Sequence, residues 1–260
     1  MPLTISADVV RMIPLFSGVP EQDKETLLSG GYVRQCARGD MLFAHGEPVT
    51  HFYIIISGMI RLFRTSPDGK EKTINVLTMG QTLCESEIFD VCRSHRVNAM
   101  PVEESAVIEF PIEWFKDAIR QHSHVALNLF SLIAHQAHMA EIEAEHQATM
   151  SAAQLVACFL QRLCVLYDLN LHDFELPYSK TLIASRLGME LETFSRAVTK
   201  LKEYGMSVRG TSVAIHDVKR LGGYVCSSCS VSGECEAYHS LHRRQDYIIL
   251  HAEGMKIQKF

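Results

Sequence analysis

From about Gly31 to Phe110, apolar residues come in short runs that alternate with polar ones or are rich in β-branched types: Met41–Phe43, His51–Ile56, Met59–Arg64, Lys72–Leu77 and Ala106–Phe110. Turn-forming residues fall between them, at Gly39-Asp40, Gly46, Ser57-Gly58, Pro67-Asp68-Gly69 and Gly80. Many short strands at close spacing predict an antiparallel β-roll. The period then changes. Ile112 to Arg120 reads as one helix and His124 to Met150 as another, in which Leu129, Leu132 or Ile133, Gln136, Met139 or Ala140, and Glu143 recur at the three-and-four spacing of a narrow seam. A helix of about 27 residues runs roughly 40 Å, more than one small domain uses, so this seam is expected to pair with a second copy of the chain.

Further helix is expected over Ser151–Leu166, with Ala157, Leu160 and Leu163 or Cys164 on one face, and a polar break follows from Asp168 to Pro177. Ser179 is placed to cap a short helix carrying Leu182, Ile183 and Ala184 to Leu187. Gly188-Met189-Glu190 then turns into a second helix from about Leu191 to Tyr204, the spacing of a helix-turn-helix. Leu191, Phe194, Val198 and Leu201 share one face and are expected in the core, whereas Glu192, Ser195, Arg196 and Thr199 occupy the other. That outer set suits a major groove, because Arg donates a bidentate pair to guanine, Glu accepts from the cytosine amino group and Ser serves either role. Lys200, Lys202 and the first helix, which begins at Lys180, are placed for phosphates. After Gly205, the run Met206–Ile215 reads as a hairpin turning at Gly210, which would form a wing.

Composition changes this picture little. The 260 residues have ordinary apolar and charged fractions, which excludes disordered and collagen-like classes and leaves room for two modest domains. The net charge of -5 argues against nucleic-acid binding until its distribution is considered. Between Ser179 and Leu221, eight Lys or Arg stand against four acids, so the helix-turn-helix segment is locally basic. No apolar run approaches the ~18 residues of a membrane helix. Met1-Pro2-Leu3-Thr4-Ile5 lacks the basic and apolar regions of a secretory signal, so a cytoplasmic protein without a membrane partner is expected. No nucleophile–base constellation stands out and the roll has no paired-histidine metal motif, so no enzyme is expected.

The order of roll, long helix and winged helix-turn-helix resembles the Crp/Fnr superfamily of bacterial transcription regulators over nearly the whole chain. The residues that carry the resemblance are Arg38-Gly39-Asp40 with Gly46-Glu47, Ser57-Gly58, and Glu192-Thr193-Phe194-Ser195-Arg196. It implies an α+β fold: an N-terminal antiparallel β-roll of the cyclic-nucleotide-binding type over 1–119, a long dimerisation helix over 120–150, a C-terminal winged helix-turn-helix over 151–221, and a cysteine-containing extension over 222–260. It also implies a homodimer, with RNA polymerase as a partner. The last motif is similar to the Glu-x-x-Ser-Arg reader of the Fnr branch, which implies that Glu192, Ser195 and Arg196 read TTGAT-like half-sites of an inverted repeat in double-stranded DNA. One departure bears on the effector. Members that bind cyclic nucleotides carry Gly-Glu-x-Gly and then Arg-Ser around the ribose and phosphate. Here the region reads Cys84-Glu85-Ser86-Glu87 and then His95-Arg96, which argues against a cyclic nucleotide.

The chain has eight cysteines, read as thiols or metal ligands in the absence of an export signal. Cys36, Cys84, Cys92, Cys158 and Cys164 stand among apolar neighbours and read as small buried hydrophobes. Cys226, Cys229 and Cys235 are different, because their spacing puts three thiols on one turn-rich loop directly after the wing. An iron–sulfur cluster needs thiolates at such short range. The set is similar to the one that holds the oxygen-sensing 4Fe–4S cluster of Fnr proteins, which implies a response to oxygen, nitric oxide or redox state. The fourth ligand stays open among His239, another cysteine, and Glu141, Glu143 or Glu145 on the long helix. Zinc is the rival, since Cys226, Cys229, Cys235 and His239 make a Cys3His set, and the roll would then sense a small metabolite. Haem is a further alternative, through His135, His138 and His146 of the long helix.

Overall fold

The computed structural model describes residues 7–89, 94–166, 169–233, 235 and 237–244. It divides into two units, Met1–Met139 and Ala140–Phe260, with the long helix shared between them.

In the first unit, α1 (Ala7–Arg11) and α2 (Glu21–Ser29) precede seven strands: β1 (Tyr32–Cys36), β2 (His51–Ser57), β3 (Met59–Thr65), β4 (Glu71–Thr78), β5 (Thr82–Leu83), β6 (Asn98–Pro101) and β7 (Ser105–Pro111). All pairings are antiparallel, in two sheets of order β1-β7-β2-β5 and β4-β3-β6, so the expected roll is present. β7 lies between β1 and β2 and is buried from Ser105 to Phe110, its one carboxylate, Glu109, being paired with Arg34 at 3.0 Å. Phe52, Ile54 and Ile55 of β2, Ile60 of β3 and Val107, Ile108 and Phe110 of β7 make the centre of the core. The helix α3 (Ile112–Gln121) docks on it by stacking Phe115 on Phe52, with ring centroids 4.0 Å apart. Met41–Phe43 is not a strand. Phe43 makes a single bridge to Ala99, because the stretch between the turns at Gly39 and Gly46 is too short for a ladder. Cys92 lies outside the described residues.

The helix α4 (Ser123–Thr149) has the expected 27 residues, but its seam is used differently. Val125 and Leu129 are buried in the core of the roll, Leu132 and Ile133 pack against it, and Gln136 donates to Glu85. Of the expected seam, Leu129 is thus buried in the roll and Leu132 and Ile133 are half-buried against it, whereas Gln136 and Ala140 are exposed. The apolar stripe left open is Leu127, Phe130, Ala134 and Ala137, which repeats at heptad spacing.

In the second unit, α5 (Ala152–Leu166) buries Val156, Ala157, Leu160 and Cys164. It is followed by β8 (Phe174–Glu175), α6 (Lys180–Arg186), α7 (Leu191–Leu201), the hairpin β9 (Met206–Arg209) and β10 (Ser212–Ile215), and α8 (Val218–Val225). β8 lies inside the expected polar break, where it pairs with the outer edge of β10. Residues 237–244 form a last helical segment, which buries Leu241 in the second core. Among the described residues no helix is long and apolar enough to cross a membrane.

Candidate nucleic-acid interface and cysteine centre

Local chemistry sets the helix-turn-helix. Ser179 caps α6, its hydroxyl accepting from the Leu182 amide at 3.2 Å. The chain then turns through Gly188 at φ +69° into α7. Phe194, Ala197, Val198 and Leu201 anchor α7 in the core, and α5 packs against it. Leu191, expected on that buried face, is 44% exposed. As the first residue of the helix it precedes the turn that meets the core, and Ala197 completes the buried face instead.

Glu192, Ser195, Arg196, Thr199 and Lys200 all lie exposed on the opposite face of α7, as the spacing predicts. In the free protein their polar groups are held within the helix. Ser195 Oγ donates to the Leu191 carbonyl at 2.9 Å, Thr199 Oγ1 donates to the Ser195 carbonyl at 3.0 Å, and Arg196 lies 3.6 Å from Glu192. The Lys200 ammonium lies 5.6 Å over the Tyr224 ring, and half-exposed Lys180 opens α6. The hairpin turns at Gly210 with φ +58°, a left-handed backbone that glycine adopts without strain.

The C-terminal end of α4 is tied to this region by three side chains. Arg186 of α6 donates from Nη2 to both carboxylate oxygens of Glu143, each at 2.8 Å, and Arg162 approaches the same carboxylate at 3.9 Å. Glu145 accepts from the Ser230 amide at 2.9 Å and its hydroxyl at 2.5 Å, bonds that hold its carboxyl below the usual range. His146 Nε2 lies 3.4 Å from Cys229 Sγ. Of the acidic fourth-ligand candidates, Glu143 and Glu145 are therefore engaged in structural bonds, while Glu141 is exposed on α4. His239 donates from Nε2 to the Gly233 carbonyl at 2.8 Å.

Cys226 opens a 3-10 turn (Cys226–Ser228) at the end of α8, and the Cys229 amide closes it by donating to the Cys226 carbonyl at 3.3 Å. Cys226, Cys229 and Cys235 are each half-buried. The structure adds a residue that the sequence pattern did not single out. Cys158 of α5 lies 3.9 Å from His146 Nδ1, and its thiol is within electrostatic reach of Cys235, Cys226 and Cys229. Burial, reinforced by these neighbouring thiols, pushes Cys158 up to about 12 and Cys226 up to about 11, and raises Cys229. Burial lowers His146, which favours its neutral form. Among the described residues no three such side chains already converge as a metal site. The donor types nevertheless fit one: several soft thiols with a neutral imidazole suit iron–sulfur or zinc rather than a hard cation.

The roll has its own unusual pair. Cys84 stands where a cyclic-nucleotide cradle has glycine, and it keeps a glycine-like φ of +73°. Its Sγ lies 3.6 Å from Nδ1 of buried His95, which stacks on Phe43 at 3.7 Å between centroids. Glu85 is buried, accepts from Gln136 Nε2 at 3.0 Å and from the Thr82 hydroxyl, and is raised by burial.

Comparison with known proteins agrees with this layout. Residues 33–122 match the cyclic nucleotide-binding domain and residues 154–224 the Crp-like helix-turn-helix domain. A candidate cAMP-binding regulatory protein of Silicibacter pomeroyi is 30% identical, with a TM-score of 0.56 over 84% of this chain and 97% of that one. The transcriptional activator protein anr of Pseudomonas aeruginosa is 25% identical over 79% of this chain and 84% of its own. FixK2 of Bradyrhizobium japonicum, 21% identical, shares the fold with a TM-score of 0.65 over 75% of this chain and 96% of that one.

Proposed function

Since the chain belongs to the Crp/Fnr family of DNA-binding transcription regulators, we propose that it reads an inverted-repeat, TTGAT-like operator as a homodimer under the control of an iron–sulfur cluster on Cys226, Cys229 and Cys235. Glu192, Ser195 and Arg196 make the base contacts from each α7, with Thr199 beside them. Lys180, Lys200 and Lys202 neutralise phosphates and set the register. Two copies of α4 pair through Leu127, Phe130, Ala134 and Ala137, whose small alanines permit close approach. RNA polymerase is the further partner at the promoter.

The observation that carries this reading is the stitching of the cysteine loop to the elements behind α7. Gln154 of α5 donates to the Tyr224 carbonyl, two residues before Cys226, and α5 packs on α7. Glu145 and His146 hold Ser230 and Cys229 to α4. A change in the loop's conformation is thereby passed both to the support of the reading helix and to the dimer helix. A bound 4Fe–4S cluster supplies a redox-active group that makes this loop responsive to oxygen or nitric oxide. A cyclic nucleotide is a poor fit to the roll, because Cys84 and Glu87 replace the cradle glycines and Glu85 is already bonded within the protein.

Iron, sulfide and zinc content, with an absorption spectrum before and after air, tests the proposal. Anaerobically purified protein should contain iron and sulfide in near-equal amounts and a visible absorption that air bleaches. Stoichiometric zinc that survives aerobic purification would overturn it.

A further inference from the structure

Building on the reading of Cys226, Cys229 and Cys235 as ligands, we infer that Cys158 is the fourth, so that the metal centre is held by four thiolates and joins α5 to the loop after the wing. The argument begins with Gln154. Both ends of its carboxamide are bonded: Oε1 accepts from the Ser151 amide at 2.9 Å and hydroxyl at 2.8 Å, while Nε2 donates to the Tyr224 carbonyl at 3.0 Å. This clamp fixes the start of α5 against the end of α8. Cys158 follows Gln154 by one helical turn on the same face, and Cys226 follows Tyr224 by two residues, so the clamp brings the two thiols to one side of the second core. There the His146 ring links α5 to the loop, with Nδ1 3.9 Å from Cys158 Sγ and Nε2 3.4 Å from Cys229 Sγ.

Of the other candidate donors, Glu141 is exposed on α4 and three are already bonded. Glu143 is held by Arg186, Glu145 by Ser230, and His239 by the Gly233 carbonyl. His146 stands between Cys229 at 3.4 Å and Cys158 at 3.9 Å, and its role is to position these two thiols. The remaining cysteine of α5 makes the contrast clear. Cys164 is buried and donates to the Leu169 carbonyl at 3.4 Å, the arrangement of a structural thiol. A fourth ligand on α5 places the centre directly behind α7, since α5 packs on that helix.

Full-length protein, purified anaerobically and reconstituted with ferrous iron and sulfide, tests this by metal analysis, absorption and electron paramagnetic resonance. The wild type should carry about four iron and four sulfide per chain. Cys158→Ala and Cys158→Ser should fall to about three iron, with the resonance of a three-iron cluster, or lose iron to a chelator much faster. Cys164→Ala should keep the wild-type stoichiometry, and circular dichroism should show every variant folded. As a second readout, Cys158 should be protected from alkylation in the holo-protein and become reactive with the loop cysteines when the metal is removed. If Cys158→Ala matches the wild type in iron, spectrum and chelator resistance while Cys226→Ala loses the cluster, Cys158 is not a ligand and the reading of the loop stands. If neither wild type nor Cys226→Ala holds iron, the reading of the loop itself has failed. Zinc lost on Cys158→Ala would support the ligand and sink the iron.

Discussion

Replacing Arg196 with alanine separates base reading from folding. Its side chain is 72% exposed and its ion-pair partner among the described residues, Glu192 at 3.6 Å, is 81% exposed. Such a surface pair contributes at most about 1 kcal/mol, and alanine is the better helix former, so the variant should fold with a stability within about 0.5 kcal/mol of wild type. On DNA the loss is larger. A bidentate contact to guanine is worth about 1–3 kcal/mol of discrimination, so each half-site should lose roughly 5- to 150-fold in preference, and two half-sites roughly the square of that. Fluorescence anisotropy on an inverted-repeat duplex, a single-guanine variant and a random duplex reads this out. Arg196→Ala should bind the first two alike and the random duplex almost as well as wild type does. Lys200→Ala should weaken all three similarly and reduce the salt dependence by about one counterion per subunit. Equal losses for Arg196→Ala on specific and random duplexes, or a stability loss well above 1 kcal/mol, would refute the assignment of α7.

Arg186 Nη2 donates to both oxygens of Glu143, with Arg186 mostly buried and Glu143 about a third exposed. A double-mutant cycle with Arg186→Met and Glu143→Gln in urea should give a coupling of about 1–2 kcal/mol, and near zero would mean the pair is incidental. Phe194 is completely buried, so Phe194→Ala should cost about 3–5 kcal/mol and abolish operator binding, as chemical denaturation and anisotropy will show. Burial lowers His95 below its ordinary 6.5 against the opposing pull of Glu87 and Glu47, so the unfolded chain binds its proton more readily than the folded one. The stability this provides is complete above pH 6.5 and is lost as pH falls below it. Melting temperatures measured from pH 7.5 to 5.5 should therefore drop more steeply for wild type than for His95→Gln, and parallel slopes would contradict the assignment.

Much of the fold was legible because its elements have strong periods. Strands β2, β3, β4 and β7, the 27-residue α4, the cap at Ser179 and the wing turn at Gly210 follow from local pattern, whereas β1, β5 and β6 were not expected. What escaped was decided by contacts distant in sequence. β8 has only two residues and exists because β10 offers it an edge. The open stripe of α4 begins at Leu127 and Phe130 because Val125 and Leu129 are the residues that enter the core of the roll. At the site, the outer face of α7 was readable from its spacing, yet Leu191 was misplaced because a helix's first residue precedes its packed turn. Cys158 carried no local signal, since apolar neighbours on a buried helix are what a structural cysteine also has. The loop thiols proposed to join it lie beyond residue 225, in a segment that the Gln154–Tyr224 bond ties to its helix.

Whether the cysteine centre governs DNA reading is decided by operator affinity of the same full-length preparation before and after air, with Cys226→Ser in parallel. Wild type should change its affinity for the inverted repeat by about 5- to 150-fold on air exposure, the usual range of coupling between two sites, while Cys226→Ser stays constant. An unchanged wild-type affinity, with iron and sulfide shown to be lost, would contradict control of α7 by the cysteine loop.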